Sequence, residues 1–391
     1  MADSRGPSRL AVARRRAVAV AIAAAVIVVA WFLFLRGDDQ QPATQNAPAA
    51  LSAETSAAID AMTPAELADQ VLLLGFEGAD GSAEFLDQVR ARQLGGVLVG
   101  APNWVDSATG TALVGAIRAA GREDDRIPPL LVASQEGGKY RAFADLPPAQ
   151  TELEIGDAGS AEAAENWARQ SAEALRSAGF DLNLFPIADV ATLDSPIADR
   201  AFSDDAASTA ELTAAAIRGC NQAGLACAAL HFPGLGAASE DTDSGPATVG
   251  LDAATLESRD LAPFAAAFAE RMPAVVLSLA FYVAYDPVTP AALSQPVATG
   301  LLRDQLGYDG VAITDDLGAG AVRSGNSVPK AAVAALVAGA DLVRIDAPED
   351  QIGVQAAILK AVADGELPQE RLEQAAGRVL ELKRSRGLLG V

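Results

Sequence analysis

"DGVAITDDL", Asp309–Leu317, sets a short apolar run, Val311 to Thr314, directly against two carboxylates. A strand with one wet face alternates polar and apolar residues, and this one does not. It reads as a strand buried on both faces, as in a parallel sheet. Six more runs share the pattern: "LGGVLVG" (94–100), "PPLLVASQ" (128–135), "GFDLNLFPIADV" (179–190), "LACAALHFPG" (225–234), "AVVLSLAF" (274–281) and "ADLVRI" (340–345). Ala-rich helical stretches such as "AEAAENWARQSAEALRSAG" (161–179) and "STAELTAAAIRGCNQAG" (208–224) lie between them. Repeated β–α units of this length make parallel strands with helical crossovers. Seven runs, with one strand unseen, predict an α/β protein built as a (β/α)8 TIM-type barrel. An open doubly wound sheet is the alternative, but no G-x-G-x-x-G follows a strand to support it.

The active site of such a barrel lies at the C-terminal ends of its strands. Polar residues gather there in this chain: Ser134-Gln135-Glu136, Asp189, His231 and Asp315-Asp316. His231 is the single histidine of the 391 residues. The residues call for no cofactor and no metal. One histidine with two cysteines, Cys220 and Cys227, cannot build the usual zinc site. A 220–227 disulfide and a pair of small buried thiols both fit the cysteines.

Ala17–Leu35, "AVAVAIAAAVIVVAWFLFL", carries no charge. Its nineteen residues would span roughly 28 Å as a helix, about the hydrocarbon thickness of a bilayer. Arg5, Arg9, Arg14, Arg15 and Arg16 precede it, which orients the N-terminus to the cytoplasm and everything after Arg36 outside. A cleaved signal peptide is the competing reading, although its apolar region is usually shorter. No cysteine follows to carry a lipid. The expected organisation is a basic cytoplasmic segment (1–16), a transmembrane anchor (17–35), a flexible linker (36–56) and a barrel domain (57–391), giving a single-pass protein of the cell membrane with its barrel outside. "MTPAELADQVLLLGF" opens the barrel domain with a capping box, Thr63 to Glu66, and a helical spacing of Leu67, Val71, Leu72 and Leu74. The net charge is −22; the first 36 residues hold +5, so the remainder sits near −27. Such a body repels nucleic-acid phosphates.

The blocks "SQEGGKYRAF", "FPIADV", "ADRAFSDD", "HFPGLG", "PAALS", "LLRDQLGYDGVAITDDLGAGA" and "RVLELKRSRGLL" resemble, in order and spacing, glycoside hydrolase family 3, and within it the single-barrel bacterial β-N-acetylglucosaminidases. The likeness runs from Ala57 to Leu389. It implies a retaining exo-glycosidase acting on a carbohydrate such as a cell-wall glycan. A carboxylate attacks the anomeric carbon, and a second group protonates the leaving oxygen and later activates water. By this resemblance Asp315 is the nucleophile, and Arg200 and His231 bind the sugar. The family's proton donor is a His on a mobile loop, paired with an Asp two residues before it. Here the Asp matches Asp241, and the His position holds Asp243.

Other positions depart as well. Leu230 stands for the family's Lys before "HFPG", Leu235 for its second His, Ser134 for an Asp, and Ala142 for an Arg, with Arg141 adjacent. Asp315 could instead cap the next helix, a role open also to Asp316. His231 could be structural. Asp243 could be a substitute acid/base, a cation ligand with its neighbours Glu240 and Asp241, or a solvated loop acid. Two functions follow: a glycosidase with impaired or altered catalysis, or a non-catalytic glycan-binding or scaffold barrel. A pocket filled by Leu230, Leu235 and Leu279 would point to a purely structural domain.

Overall fold

The computed structural model describes residues 51–389. The anchor expected at 17–35 lies outside them. Among the described residues no helix is long and apolar enough to cross a membrane. The anticipated barrel is present. Eight parallel strands, β1 (Leu72–Leu74), β2 (Gly96–Leu98), β3 (Leu130–Ala133), β4 (Leu182–Ile187), β5 (Ala226–Phe232), β6 (Ala274–Leu277), β7 (Val311–Thr314) and β8 (Val343–Ile345), form one sheet. It runs β7-β6-β5-β4-β3-β2-β1-β8 and is nearly closed where Ile313 bridges Leu342. Every strand residue is buried except Arg344, which is partly so. Two-sided burial is what the unalternated runs demanded, because helices cover the outer face of the ring.

The unseen strand is β1. The capping box forms: Thr63 Oγ1 accepts from the Glu66 N–H, and Glu66 accepts from the Thr63 N–H. Its helix nevertheless stops at Gln70, and Leu72–Leu74 join the sheet against β8 and β2. Helical spacing of leucines is satisfied there by coincidence, and closing the ring wins over it.

The stretch read as a tether also differs. Ala53–Ala61 is a helix, capped by Ser52, and the Ser52 N–H donates to Glu381 on the last helix, Gln369–Ser385. Thr55 is fully buried. The folded body therefore starts ahead of Ala57. Cys220, on helix Ala206–Ala223, and Cys227, on β5, are joined by a disulfide, which resolves the cysteine question against two free thiols.

Candidate active site

Asp315 directly follows β7, with its N–H donating to the Leu277 carbonyl so that the strand ladder extends to it. One carboxylate oxygen, Oδ1, accepts from Arg344 Nη1 at 2.9 Å and from the Asp316 N–H at 2.9 Å. The other, Oδ2, lies 3.8 Å from His231 Nε2. Burial alone would raise this carboxyl. The Arg344 and His231 charges outweigh it, and the group is held below its ordinary value. Asp315 is thus kept ionised.

His231 is oriented from behind. Its Nδ1 is 2.8 Å from Asp189 Oδ2, and Asp189, fully buried, also accepts the N–H groups of His231 and Leu235. Burial would lower the imidazole, but the Asp189 carboxylate more than compensates, and the His231 pKa is raised. Arg200 forms a two-pronged pair with Glu136, Nε to Oε2 at 2.9 Å and Nη2 to Oε1 at 2.8 Å, beside the Tyr140 ring. Burial opposes the Arg200 charge, and the Glu136 carboxylate restores it, leaving the pKa above its usual value.

The loop after β5 carries the acids. Gly234 adopts φ +124°, where a Cβ would meet Asp260, so only glycine makes this turn. The Asp243 N–H donates to Asp241 Oδ1, and the Asp243 and Thr242 carbonyls accept from Gly320 and Ala321. The loop is therefore docked on the turn that follows Asp315. The Asp243 side chain reaches solvent, yet partial desolvation, then the Asp315 and Asp241 charges, raise its pKa.

Asp315, Asp243, Asp241, Arg200, His231 and Ser134 all line one cavity of about 390 Å³. Arg141 does not. Its guanidinium donates to the Gly138 and Leu146 carbonyls, so it braces the loop after β3 and does not replace the arginine missing at Ala142. Gln135 is likewise structural, tying that loop through the backbone of Phe143 and Pro147. Leu230 and Leu235 form part of the wall, but the cavity is open, and the filled-pocket arrangement is not found. Asp316 accepts from Gly318 and Asp346, so it ties the turn to the end of β8; the next helix, Gly320–Arg323, starts after Ala319 with no side-chain cap.

Arg344 is the participant that sequence reading missed. It pairs with Asp315 and with Asp346 and lines the cavity. Its signal was a charge inside "ADLVRI", a run otherwise read as buried. Asp189 was visible as a strand-end acid, but its hold on His231 was not. Chemically, the cavity offers one carboxylate kept ionised and another whose pKa is raised, a division of labour suited to nucleophile and proton donor.

Residues 67–382 match the model of the glycosyl hydrolase family 3 N terminal domain. A beta-hexosaminidase of Stenotrophomonas maltophilia (strain K279a) is 33% identical over 327 residues, covering 82% of this chain and 91% of the relative. A beta-hexosaminidase of Xylella fastidiosa (strain M12) is 35% identical over 288 residues, 71% of this chain and 84% of its own. Among solved structures, a glycoside hydrolase family 3 beta-N-acetylglucosaminidase from Paenibacillus sp. str. FPU-7 superposes with a TM-score of 0.82 at 32% identity. The match covers 85% of this chain and 64% of that protein.

Proposed function

We infer that this chain, which belongs to glycosyl hydrolase family 3 and is a beta-hexosaminidase-like glycoside hydrolase, is a retaining exo-β-N-acetylhexosaminidase with altered catalysis. Asp315 is the nucleophile, and Asp243 stands in for the proton donor. The observation carrying this reading is the opposite displacement of two carboxyl groups on one cavity, Asp315 down and Asp243 up. In the first step Asp315 Oδ2, the oxygen not held by Arg344, bonds to the anomeric carbon. The glycosidic C–O bond breaks, and Asp243 passes its proton to the leaving oxygen. In the second, Asp243 takes a proton from water, the water oxygen bonds to the anomeric carbon, and Asp315 leaves. Asp241 braces Asp243 through its backbone N–H. Arg200 and His231 meet the sugar hydroxyls, with Ser134 at the same wall.

Turnover is slow relative to a site with the imidazole donor. Arg344 draws charge from the nucleophile, and Leu230 and Ser134 offer less to a sugar than Lys and Asp would. The substrate is a glycan of the cell envelope, with the barrel held outside the membrane by residues 17–35. The Cys220–Cys227 disulfide supports that side, since disulfides persist in oxidising compartments. A second reading, glycan binding without turnover, draws on the Arg344–Asp315 pair.

An aryl β-N-acetylglucosaminide with an activated phenol separates the two, because such a phenol departs unprotonated. Release abolished by Asp315→Ala supports turnover. Asp243→Ala should then cost about 10²–10⁴-fold on a poor leaving group, and little on release of the first equivalent from the activated one. No release by folded wild-type protein would favour binding alone.

A further inference from the structure

The opposite end of the barrel holds a second cleft, of about 500 Å³, whose lining includes four arginines, Arg118, Arg122, Arg176 and Arg386. This is an unusual concentration in a chain of net charge −22. The cleft lies where the helices Ser107–Gly121, Ala161–Ser177, Ala206–Ala223 and Gln369–Ser385 end. Part of the arginine donor capacity serves those ends. Arg176 donates to the Ala223 carbonyl, Arg386 to Gly224, and Arg118 to Gly179. Capping of carbonyls explains some of the cluster, and the negative helix ends offset part of its charge, but neither brings a full acid to the cleft.

Asp181 is the one carboxylate in the lining. It is already committed to Arg118 and to the Leu131 N–H. Glu173, one turn before Arg176, pairs with Arg169. Arg122 has no hydrogen bond or ion pair from its side chain to any described residue. Burial holds the Arg386 guanidinium below its ordinary value; the Asp181 charge opposes this, and the smaller effect of Arg176 adds to it. Behind the cleft, burial pushes Lys383 down to about 7. Beyond the Asp181–Arg118 pair, Arg122, Arg176 and Arg386 line the same cleft with no carboxylate hydrogen-bonded to them among the described residues. Each keeps fork-shaped N–H donors suited to phosphate oxygens.

We propose that this cleft is an anion site for a phosphoryl group, seated between Arg122, Arg176 and Arg386, and independent of the glycosidase cavity. Two sources share that chemistry, free phosphate and a lipid phosphodiester. Ser385 borders both this cleft and the neighbouring hollow lined by Leu51, so the chain enters the folded body beside the site. The lipid source rests on the reading of 17–35 as an anchor; the anion site itself does not.

Calorimetric titration of the full chain in neutral detergent tests the proposal, with inorganic phosphate in one arm and glycerophosphoglycerol in the other. Phosphate should bind with a Kd at or below about 1 mM, and Arg122→Ala with Arg386→Ala should weaken it about tenfold or more. Activity on the aryl glycoside should be unchanged in the double variant. Arg386→Lys, which keeps the charge but loses the fork, should fall between the two. Binding of the diester as well as phosphate identifies a lipid headgroup; binding of phosphate alone identifies the free anion. No heat with either probe, or equal binding by the double variant, overturns the site and leaves helix capping as the arginines' whole role.

Discussion

Replacing Arg344 by methionine removes the cation from the cavity floor while keeping a long apolar side chain. The Arg344 and Asp315 side chains retain only 15% and 10% exposure, so the pair belongs to the buried class, where losing one partner costs about 3–5 kcal/mol. Two contacts to Asp315 survive, the Asp316 N–H and His231. They place the loss near the lower end, about 3 kcal/mol at neutral pH. Titration agrees in direction, since the Arg344 charge is the largest influence lowering the Asp315 carboxyl. The sign follows from linkage. In the wild type the folded carboxyl is depressed, so its stabilisation exists above the unfolded pKa and is lost as pH falls through the folded one. In the variant burial dominates and the folded value rises. The deficit should then be largest at neutral pH and shrink on acidification. Urea unfolding at several pH values measures it. In activity, the acid limb of the pH–rate profile should move to higher pH. A variant as stable as the wild type at neutral pH, with the same profile, would refute the assignment of Asp315's ionisation to Arg344.

Asp189→Asn should release the His231 ring. Because Asp189 raises the imidazole pKa, the stability this interaction supplies is present below the unfolded value of about 6.5 and lost as pH rises through the folded value. The variant's unfolding deficit should therefore be greater at about pH 6 than at about pH 9. Gly236→Ala would bring a Cβ to 2.0 Å from the Val190 carbonyl oxygen, and should cost about 2 kcal/mol or more, read as a fall in Tm. A chain begun at Ala57 should be less stable to urea than one begun at Pro48 by about 2 kcal/mol, since it loses the Ser52 cap, the bond to Glu381 and buried Thr55.

Seven of the eight strands were legible because two-sided burial leaves an unbroken apolar run. β1 was not, because three leucines after a well-capped helix satisfy helical and strand patterns alike, and only the Leu72–Val343 pairing distinguishes them. The acids around the cavity were legible as polar interruptions at strand ends. What stayed hidden depends on side-chain direction. Arg141 and Arg200 look equivalent in sequence, yet one bonds to carbonyls of its own loop and the other spans to Glu136. The helix Ala53–Ala61 was obscured by its polar, Ala-rich composition, which describes a tether as well as it describes a surface helix with one buried threonine.

The pairing of β1 with β8 also bears on how the molecule is made. During synthesis β1 can meet β2 early, but its other edge has no partner until Val343–Ile345 emerge, and the clamp between Ser52 and Glu381 must wait longer still. A nascent chain therefore carries exposed ladder groups and leucine side chains through most of its translation. Unpaired edges invite association with other chains, and contacts this distant in sequence form slowly. Ribosome stalling or cleavage before the eighth strand should leave an adhesive fragment with an unpaired β1 edge.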